Sequence, residues 1–263
     1  MNEKENYQEI INQIKGRKPV LFLDYDGTLT PIVSRPEDAV LSEEMKNVLK
    51  ETADRIKVGV ISGRDMDDLK GLVGLNNIIY AGSHGFRISG PGGLYKEHEK
   101  SEEILPKLGE LGRELHKYFK KIDEGIQVER KRYAIAVHYR NAKDDNIPFI
   151  IQKIDRIISK NPGFKKGEGK KIVEVKPDIN WHKGKALLWI LEKLCMTDIN
   201  EFVPVYIGDD ITDEDAFRTI EDFGIGILVG SHGQPTAAKY KLEDVDQVKT
   251  ILEVLAKKYP KGN

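Results

Sequence analysis

Short apolar runs alternate with segments of helical spacing in the first and last thirds of the chain. The runs, which are typical of strands buried on both faces, are residues 20–23, 58–61, 78–81, 203–207 and 225–229. The first helical segment opens with Ser42, Glu43 and Glu44, a capping residue followed by two acids. This alternation predicts βαβ units and an α/β fold with a doubly wound, mostly parallel, Rossmann-like sheet.

The middle of the chain has a different pattern. After Gly90-Pro91-Gly92-Gly93, the predicted elements are a helix at 101–120, strands at 126–130 and 133–139, a helix near 149–159, and strands around 164 and 172–175. This αββαββ order predicts strands that pair locally and antiparallel. We therefore expect an α+β cap domain at residues 101–177, inserted into a core of residues 1–100 and 178–263.

Charge and composition limit the classes of partner. The chain has 263 residues, with 42 Lys+Arg against 43 Asp+Glu and a net charge of −1. Nucleic-acid and anionic-membrane binders need a cationic surplus, so we expect neither partner. The apolar runs are too short to span a bilayer, the N-terminus has no signal-peptide pattern, and the single cysteine, Cys195, allows no internal disulfide. These features favour a cytoplasmic location.

Two carboxylates follow the first predicted strand, in the motif Asp24-Tyr25-Asp26-Gly27-Thr28-Leu29. The carboxyl end of a parallel strand is where open α/β sheets bind ligands. Gly27 allows a sharp turn out of the strand. Taken alone, the motif is explained at least as well by an aspartate turn that ends the strand.

Two further segments are suited to anions. Ser62-Gly63-Arg64 follows the next strand and offers a hydroxyl and backbone N–H groups. Lys183, within Trp181-His182-Lys183-Gly184-Lys185, opens a later helix and could neutralise phosphate charge. An ordinary strand-to-helix turn and a solvated lysine are the competing interpretations.

Acidic residues are concentrated after the strand at 203–207, in the segment Gly208-Asp209-Asp210-Ile211-Thr212-Asp213-Glu214-Asp215. Carboxylates this close repel one another unless a cation or a base lies among them. Hard oxygen ligands at a strand end suit Mg²⁺. An acid-rich helix start, favoured by the helix dipole, is compatible with the same residues.

All four signals follow or prepare buried strands, so they can converge at one edge of the sheet. Together they supply the positioning and charge neutralisation that phosphoryl transfer needs. Their order resembles the haloacid dehalogenase superfamily of aspartate-nucleophile phosphatases. The details look most like the trehalose-6-phosphate phosphatase family, with the matching segments at 24–32, 81–85, 138–140, 174–177 leading to 183–184, and 208–217.

The resemblance implies a role for each matching core residue. Asp24 would attack phosphorus and form an aspartyl-phosphate, and Asp26 would act as general acid and then general base. The phosphoryl oxygens would be held by Thr28, Ser62, Gly63 and Lys183.

The same resemblance implies a Mg²⁺ site. Its ligands would be Asp24, the backbone carbonyl of Asp26, and Asp209. Asp213 would orient Lys183 or a metal-bound water from outside the ligand set. Asp210 would support the site in the same way, or serve only as a helix cap.

Substrate choice is expected to lie in the cap. By resemblance, the residues that contact the sugar would be Glu129, Lys131, Arg140, Lys170 and Glu174. Arg64 and His84 lie on predicted core loops, a position from which they could also face the substrate cleft. Half-solvated strands also alternate polar and apolar residues without any ligand, and Ile172 shares a face with Lys170 and Glu174. A structural hydrogen bond is the competing role for His84.

The resemblance implies a Mg²⁺-dependent phosphatase that hydrolyses trehalose 6-phosphate, in functional pairing with a trehalose-phosphate synthase. One alternative is a phosphatase of another sugar phosphate, of the glucosylglycerol or glucosylglycerate type, or a phosphohexomutase. The other is a non-catalytic regulatory module that binds a sugar phosphate. Turnover, and the substrate on which it occurs, would separate the three.

Overall fold

The computed structural model describes residues 3–169 and 171–261. In chain order, the strands are β1 (Lys18–Leu23), β2 (Lys57–Ile61), β3 (Ile79–Gly82), β4 (Arg87–Ser89), β5 (Tyr95–Glu97), β6 (Gln127–Arg130), β7 (Ile135–His138), β8 (Phe164–Gly169), β9 (Ile172–Pro177), β10 (Phe202–Gly208), β11 (Ile225–Val229) and β12 (Tyr240–Leu242). The helices are α1 (Glu3–Ile14), α2 (Glu43–Ala53), α3 (Met66–Val73), α4 (Ser101–Phe119), α5 (Ile147–Lys160), α6 (Lys183–Lys193), α7 (Glu214–Ile220) and α8 (Val245–Lys258).

The chain forms two compact units. The first combines the residues up to Lys96 with those from Trp181 onward, and the second is Glu97–Asn180. These borders lie within a few residues of the predicted 101–177 insert. The assignment of the second unit to substrate recognition stays a prediction.

The first unit is built on an eight-stranded sheet with the order β12-β11-β10-β1-β2-β3-β4-β5. The strands from β12 to β3 run parallel, and β4 pairs antiparallel with β3. Successive side chains of β1 point to opposite faces of the sheet, and helices cover both of these apolar faces. Leu21 and Leu23 pack in the cluster that includes α1, α2, α3 and α8, whereas Val20 and Phe22 pack with α6 and α7. The predicted doubly wound α/β fold is confirmed.

The second unit has a four-stranded antiparallel sheet with the order β6-β7-β9-β8. Its element order is the predicted αββαββ. One face of the sheet, with Val137, Val173 and Val175, packs in a core with the apolar residues of α4 and α5. Side chains alternate along each strand, so Glu129 and Glu174, which both lie in register with Ala136, point to the other face.

Four elements lie outside the sequence expectations. β4 and β5 are three-residue strands on either side of the Gly90–Gly93 turn, and β12 is equally short. Such segments contain too few residues to show a period of two. α1 buries Ile10 and Ile14 in a mostly polar sequence, which hides its apolar stripe. Within residues 3–169 and 171–261, no helix combines the length and apolar character needed to cross a membrane.

The central position of β1 makes its side chains sensitive to truncation. Leu21 is fully buried between the parallel neighbours β10 and β2. We expect Leu21→Ala to lower the free energy of unfolding by about 2–5 kcal/mol, since a cavity replaces packed methyl groups. Urea denaturation followed by circular dichroism measures this. Ile32→Ala is the matched control, because Ile32 is 78% exposed, and an equal loss at both positions would contradict this packing.

Candidate active site

Three strands of the first sheet end at the same level, and each delivers a polar group there. Leu23 of β1 is in register with Ile207 of β10 and Val60 of β2. The residues that follow are Asp24, Ser62 and the Gly208-Asp209 pair. Because these strands are parallel, the groups meet at the carboxyl edge of the sheet, where doubly wound folds bind ligands.

The turn after β1 is fixed by backbone hydrogen bonds. The N–H of Asp24 donates to Ile207 (2.9 Å), and the N–H of Gly27 donates to the carbonyl of Thr30 (2.8 Å). Gly27 has a φ of +80°, and a Cβ at this position would overlap the Asp209 carboxylate. Glycine is therefore required both by the left-handed backbone and by the approach of Asp209.

Lys183, the first residue of α6, is buried between two carboxylates. Its Nζ lies 2.9 Å from Oδ1 of Asp24 and 2.7 Å from Oδ1 of Asp213. The three side chains are 2%, 7% and 0% exposed, so these charges interact with little solvent screening. Burial alone lowers the pKa of Lys183, but Asp213 and Asp24 hold that pKa above its ordinary value.

Asp213 has a donor at every lone-pair position of its carboxylate. Oδ1 accepts from Lys183 (2.7 Å) and from the hydroxyl of Tyr206 (2.6 Å). Oδ2 accepts from the backbone N–H groups of Asp209 (3.1 Å) and Asp210 (3.0 Å). A carboxylate offers about four such positions. Asp213 thus holds Lys183, Tyr206 and the loop after β10 through four hydrogen bonds, and its predicted place outside the metal-ligand set stays a prediction.

Three carboxylates approach one another at this edge. Oxygens of Asp24, Asp209 and Asp213 lie within 4.8 Å of one another. Burial, and secondarily the charge of Asp213, raises the pKa of Asp209 to about 7. Burial also raises the pKa of Asp24 well above its ordinary value, although Lys183 opposes the shift.

The donor set fits a hard divalent cation. Three carboxylates face one ammonium, and oxygen ligands of this kind suit ions such as Mg²⁺. Since the oxygens of Asp213 are occupied by donors, Asp24 and Asp209 are the two carboxylates left to bind such an ion. A cation at this position would favour their ionised forms.

Asp26 points to a different partner. Its carboxylate receives two hydrogen bonds from Arg64, at 2.8 Å from Nε and 2.7 Å from Nη2. Arg64 also donates to Asp68 and to the carbonyl of Pro36. Arg64 is a predicted substrate contact, whereas in the structure its guanidinium contacts protein groups.

Of the predicted phosphate-binding residues, Lys183 contacts Asp24, and Thr28, Ser62 and Gly63 lie on the turns that follow β1 and β2. The Thr28 hydroxyl is fully buried and donates to Asp209 (3.4 Å). The Ser62 hydroxyl accepts from the N–H of Arg64 (3.2 Å), and Gly63 is exposed. His84 packs its ring so close to Gly63 that a Cβ there would lie 2.9 Å from the ring.

Two of the predicted sugar-contacting residues of the second unit pair with each other, and a third pairs with a neighbouring histidine. Lys131 binds Glu174 (3.0 Å), and His138 contacts Glu129 (2.9 Å). Arg140 is exposed beyond the end of β7. The predicted contact Lys170 lies outside the described residues.

The bond between Tyr206 and Asp213 has no counterpart among the sequence predictions, whereas helix capping was one of the two roles predicted for Asp210. Tyr206 interrupts an aliphatic strand, and a buried tyrosine hydroxyl needs a partner; that requirement was the available signal for its bond to Asp213. Asp210 accepts from the N–H of Ile211 (2.7 Å) and forms a capping box with Asp213. Capping therefore accounts for Asp210.

Comparison with solved structures agrees with this fold. The C-terminal domain of the C. albicans trehalose-6-phosphate phosphatase has a TM-score of 0.74 at 25% identity, over 98% of this chain and 97% of that chain. The C-terminal domain of a Candida albicans trehalose synthase regulatory protein has the same fold, with a TM-score of 0.69 at 17% identity, over 94% and 98% of the two chains.

Comparison with sequences identifies the class and the family. The trehalose-phosphatase family pattern matches residues 22–246. A trehalose 6-phosphate phosphatase of Zea mays is 36% identical over 266 residues, which cover 96% of this chain and 73% of that protein. The chain is a phosphoric monoester hydrolase with a haloacid dehalogenase-type fold. Within that class, it belongs to the trehalose-phosphatase family.

The end of β10 should tolerate no side chain at Gly208, because a Cβ there would overlap the Asp213 carboxylate. We expect Gly208→Ala to displace Asp213 and to weaken binding of a divalent cation at least ~10-fold, since residues that orient metal ligands commonly contribute 10–100-fold. Titration with Mn²⁺, followed by electron paramagnetic resonance, measures the affinity. Gly163→Ala is the control, since nothing lies within 4 Å of that position; unchanged affinity in Gly208→Ala would contradict the role given to Asp213.

Proposed function

We propose that this protein hydrolyses trehalose 6-phosphate to trehalose and phosphate, with Mg²⁺ at the carboxylate cluster. The observation that carries the proposal is the buried pair of ion pairs that joins Lys183 to Asp24 and Asp213. They lie beside Asp209 at the carboxyl edge of the sheet. Family membership supports the substrate, because the Zea mays relative is named for this reaction. A sugar-phosphate substrate requires both a phosphate site and a sugar site.

Asp24 is the proposed nucleophile. One of its carboxylate oxygens attacks phosphorus, the bond between phosphorus and the sugar oxygen breaks, and an aspartyl-phosphate forms. Lys183, which contacts Asp24 at 2.9 Å, neutralises negative charge on the transferring group. The other groups that hold phosphoryl oxygens in this proposal are Thr28, Ser62 and Gly63.

Asp26 is the proposed acid and base. It gives a proton to the departing sugar oxygen in the first step and takes one from water in the second, so the two steps restore its starting form. The water oxygen attacks phosphorus and displaces Asp24, which regenerates the free carboxylate. Asp26 is 44% exposed, unlike the almost fully buried Asp24, which suits a group that exchanges protons with substrate and water.

Mg²⁺ is proposed to be held by Asp24, Asp209 and the backbone carbonyl of Asp26. When bound, it would neutralise charge on the phosphate and on its nucleophile. Asp213 keeps its four hydrogen bonds and positions Lys183.

Sugar recognition is proposed for the polar face of the second unit. Glu129, Lys131 and Glu174 present charged donors and acceptors there, and Arg140 adds another cation. Polar groups that pair with a correct sugar reject one that leaves them unpaired. The proposal also includes a cytoplasmic location and a functional pairing with a trehalose-phosphate synthase, which would supply the substrate.

The regulatory alternative shares the fold, since the Candida albicans regulatory protein domain superimposes on this chain. The complete set of Asp24, Asp26, Lys183 and Asp209 favours catalysis, because a module that only binds has no need of both a nucleophile and an acid–base group.

Phosphate release separates these functions. We expect rapid release from trehalose 6-phosphate with Mg²⁺, loss of that release with EDTA, and at least ~100-fold lower kcat/KM with glucose 6-phosphate and glucosylglycerol phosphate, since hydrogen-bonding sites discriminate strongly. Preference for another sugar would reassign the substrate. Binding of trehalose 6-phosphate without release would favour the regulatory module.

Asp24→Asn tests the nucleophile. An amide is a poor nucleophile, so kcat should fall at least ~10³-fold. When the reaction is stopped by denaturation, mass spectrometry should detect a phosphorylated peptide containing residue 24 in the wild type but not in Asp24→Asn. Asp222→Asn, which changes an exposed carboxylate after α7, should keep full activity. Near-normal turnover by Asp24→Asn would eliminate the proposed mechanism.

A further inference from the structure

Arg64 forms a two-point contact with the proposed acid–base residue. Nε donates to Oδ2 of Asp26 at 2.8 Å, and Nη2 donates to Oδ1 at 2.7 Å. Parallel hydrogen bonds from a guanidinium fix both the position and the plane of a carboxylate. The pair joins residues 38 positions apart, so it depends on the pairing of β1 with β2.

Arg64 is itself held rigidly. Nη1 donates to Asp68 (3.1 Å), Nη2 donates to the carbonyl of Pro36 (2.7 Å), and the guanidinium carbon lies 5.2 Å from the centre of the Tyr25 ring. The Arg64 side chain is only 10% exposed, against 44% for Asp26. Protein groups thus use four of its five N–H donors, which makes it poorly suited to bind a substrate.

The contact leaves Asp26 able to transfer a proton. Each carboxylate oxygen has two lone pairs, and Arg64 occupies one on each. The second lone pair of either oxygen can accept a proton from water and give one to a sugar oxygen. Arg64 can therefore stay hydrogen-bonded to Asp26 while Asp26 accepts and donates protons.

We propose that Arg64 is a positioning residue, which holds the Asp26 carboxylate in the orientation needed for proton transfer and makes no contact with the sugar. This inference rests on the proposed function, in which Asp26 is the acid and base. It replaces the substrate contact that sequence analysis assigned to Arg64.

Steady-state kinetics of Arg64→Met and Arg64→Lys test the proposal. Methionine is unbranched and has no donor, so kcat for trehalose 6-phosphate should fall about 30–100-fold, the scale of a misplaced catalytic group. KM should stay within about threefold, because binding is not what the residue supplies. Lysine keeps the positive charge but lacks the two-point donor geometry of a guanidinium, so Arg64→Lys should retain more of kcat than Arg64→Met. A rise in KM at unchanged kcat would overturn the proposal.

Two control variants separate the Asp26 contact from the other contacts. Asp68→Ala removes another partner of Arg64 and leaves the Asp26 pair intact, and Arg35→Met removes an exposed two-point pair with Asp38. Both should keep kcat within about threefold, since exposed ion pairs contribute little. If Asp68→Ala matched Arg64→Met, general loop support would replace positioning of Asp26.

A double-mutant cycle tests the route of action. In an Asp26→Asn background, Arg64→Met should lower kcat by no more than about threefold, because the group on which it acts is already inactive. If the Arg64→Met effect persisted in full, Arg64 would act independently of Asp26, and the proposal would fail.

Crystal structures of the wild type and Arg64→Met provide a readout without turnover. We expect the Asp26 carboxylate to change orientation in the variant, whereas an unchanged orientation would overturn the proposal. Arg64→Lys serves for the same comparison if the methionine variant does not fold. Absence of phosphate release by the wild type would refute the proposed function, while the two structures would still decide the role of Arg64.

Discussion

The ion pair between buried Lys183 and two buried carboxylates is the interaction on which the site depends. Burying an ammonium or a carboxylate alone is costly, and removal of one partner from a buried pair typically costs about 3–5 kcal/mol. Lys183 is held at the start of α6, between Asp24 after β1 and Asp213 after β10. The same contact therefore ties three elements together and places a positive charge beside the proposed nucleophile.

A division of labour follows from the hydrogen bonds of Asp213. Because Lys183, Tyr206 and two backbone N–H groups occupy its oxygens, Asp213 is the carboxylate that we propose positions Lys183, while Asp24 and Asp209 are the proposed cation ligands. Arg64 has a comparable relation to Asp26 at the other end of the turn. The two carboxylates with proposed chemical roles, Asp24 and Asp26, are thus each held by a basic side chain. Asp24 is almost fully buried, whereas Asp26 is partly exposed.

The sequence was sufficient for features that depend on local pattern. Continuous apolar runs predicted the central strands. The acids that follow two of these runs and the lysine that opens a later helix were predicted to converge at one sheet edge, and the structure brings Asp24, Asp209 and Lys183 together there. Features that depend on the register between strands could not be predicted from the sequence. From the sequence alone, Tyr206 cannot be told from any other buried aromatic residue, because its partner Asp213 is known only once the fold is known. In the same way, the pairing of Lys131 with Glu174 depends on how β9 aligns with β7. Strands as short as β4 carry too little periodicity to predict.

Anomalous diffraction from crystals soaked in Mn²⁺ tests most directly whether the carboxylates divide their roles in this way. We expect a manganese ion bound by Asp24 and Asp209, with Asp213 still hydrogen-bonded to Lys183 and Tyr206. A manganese ion bound by Asp213, with Lys183 displaced from it, would show that Asp213 is a metal ligand and does not serve to position Lys183.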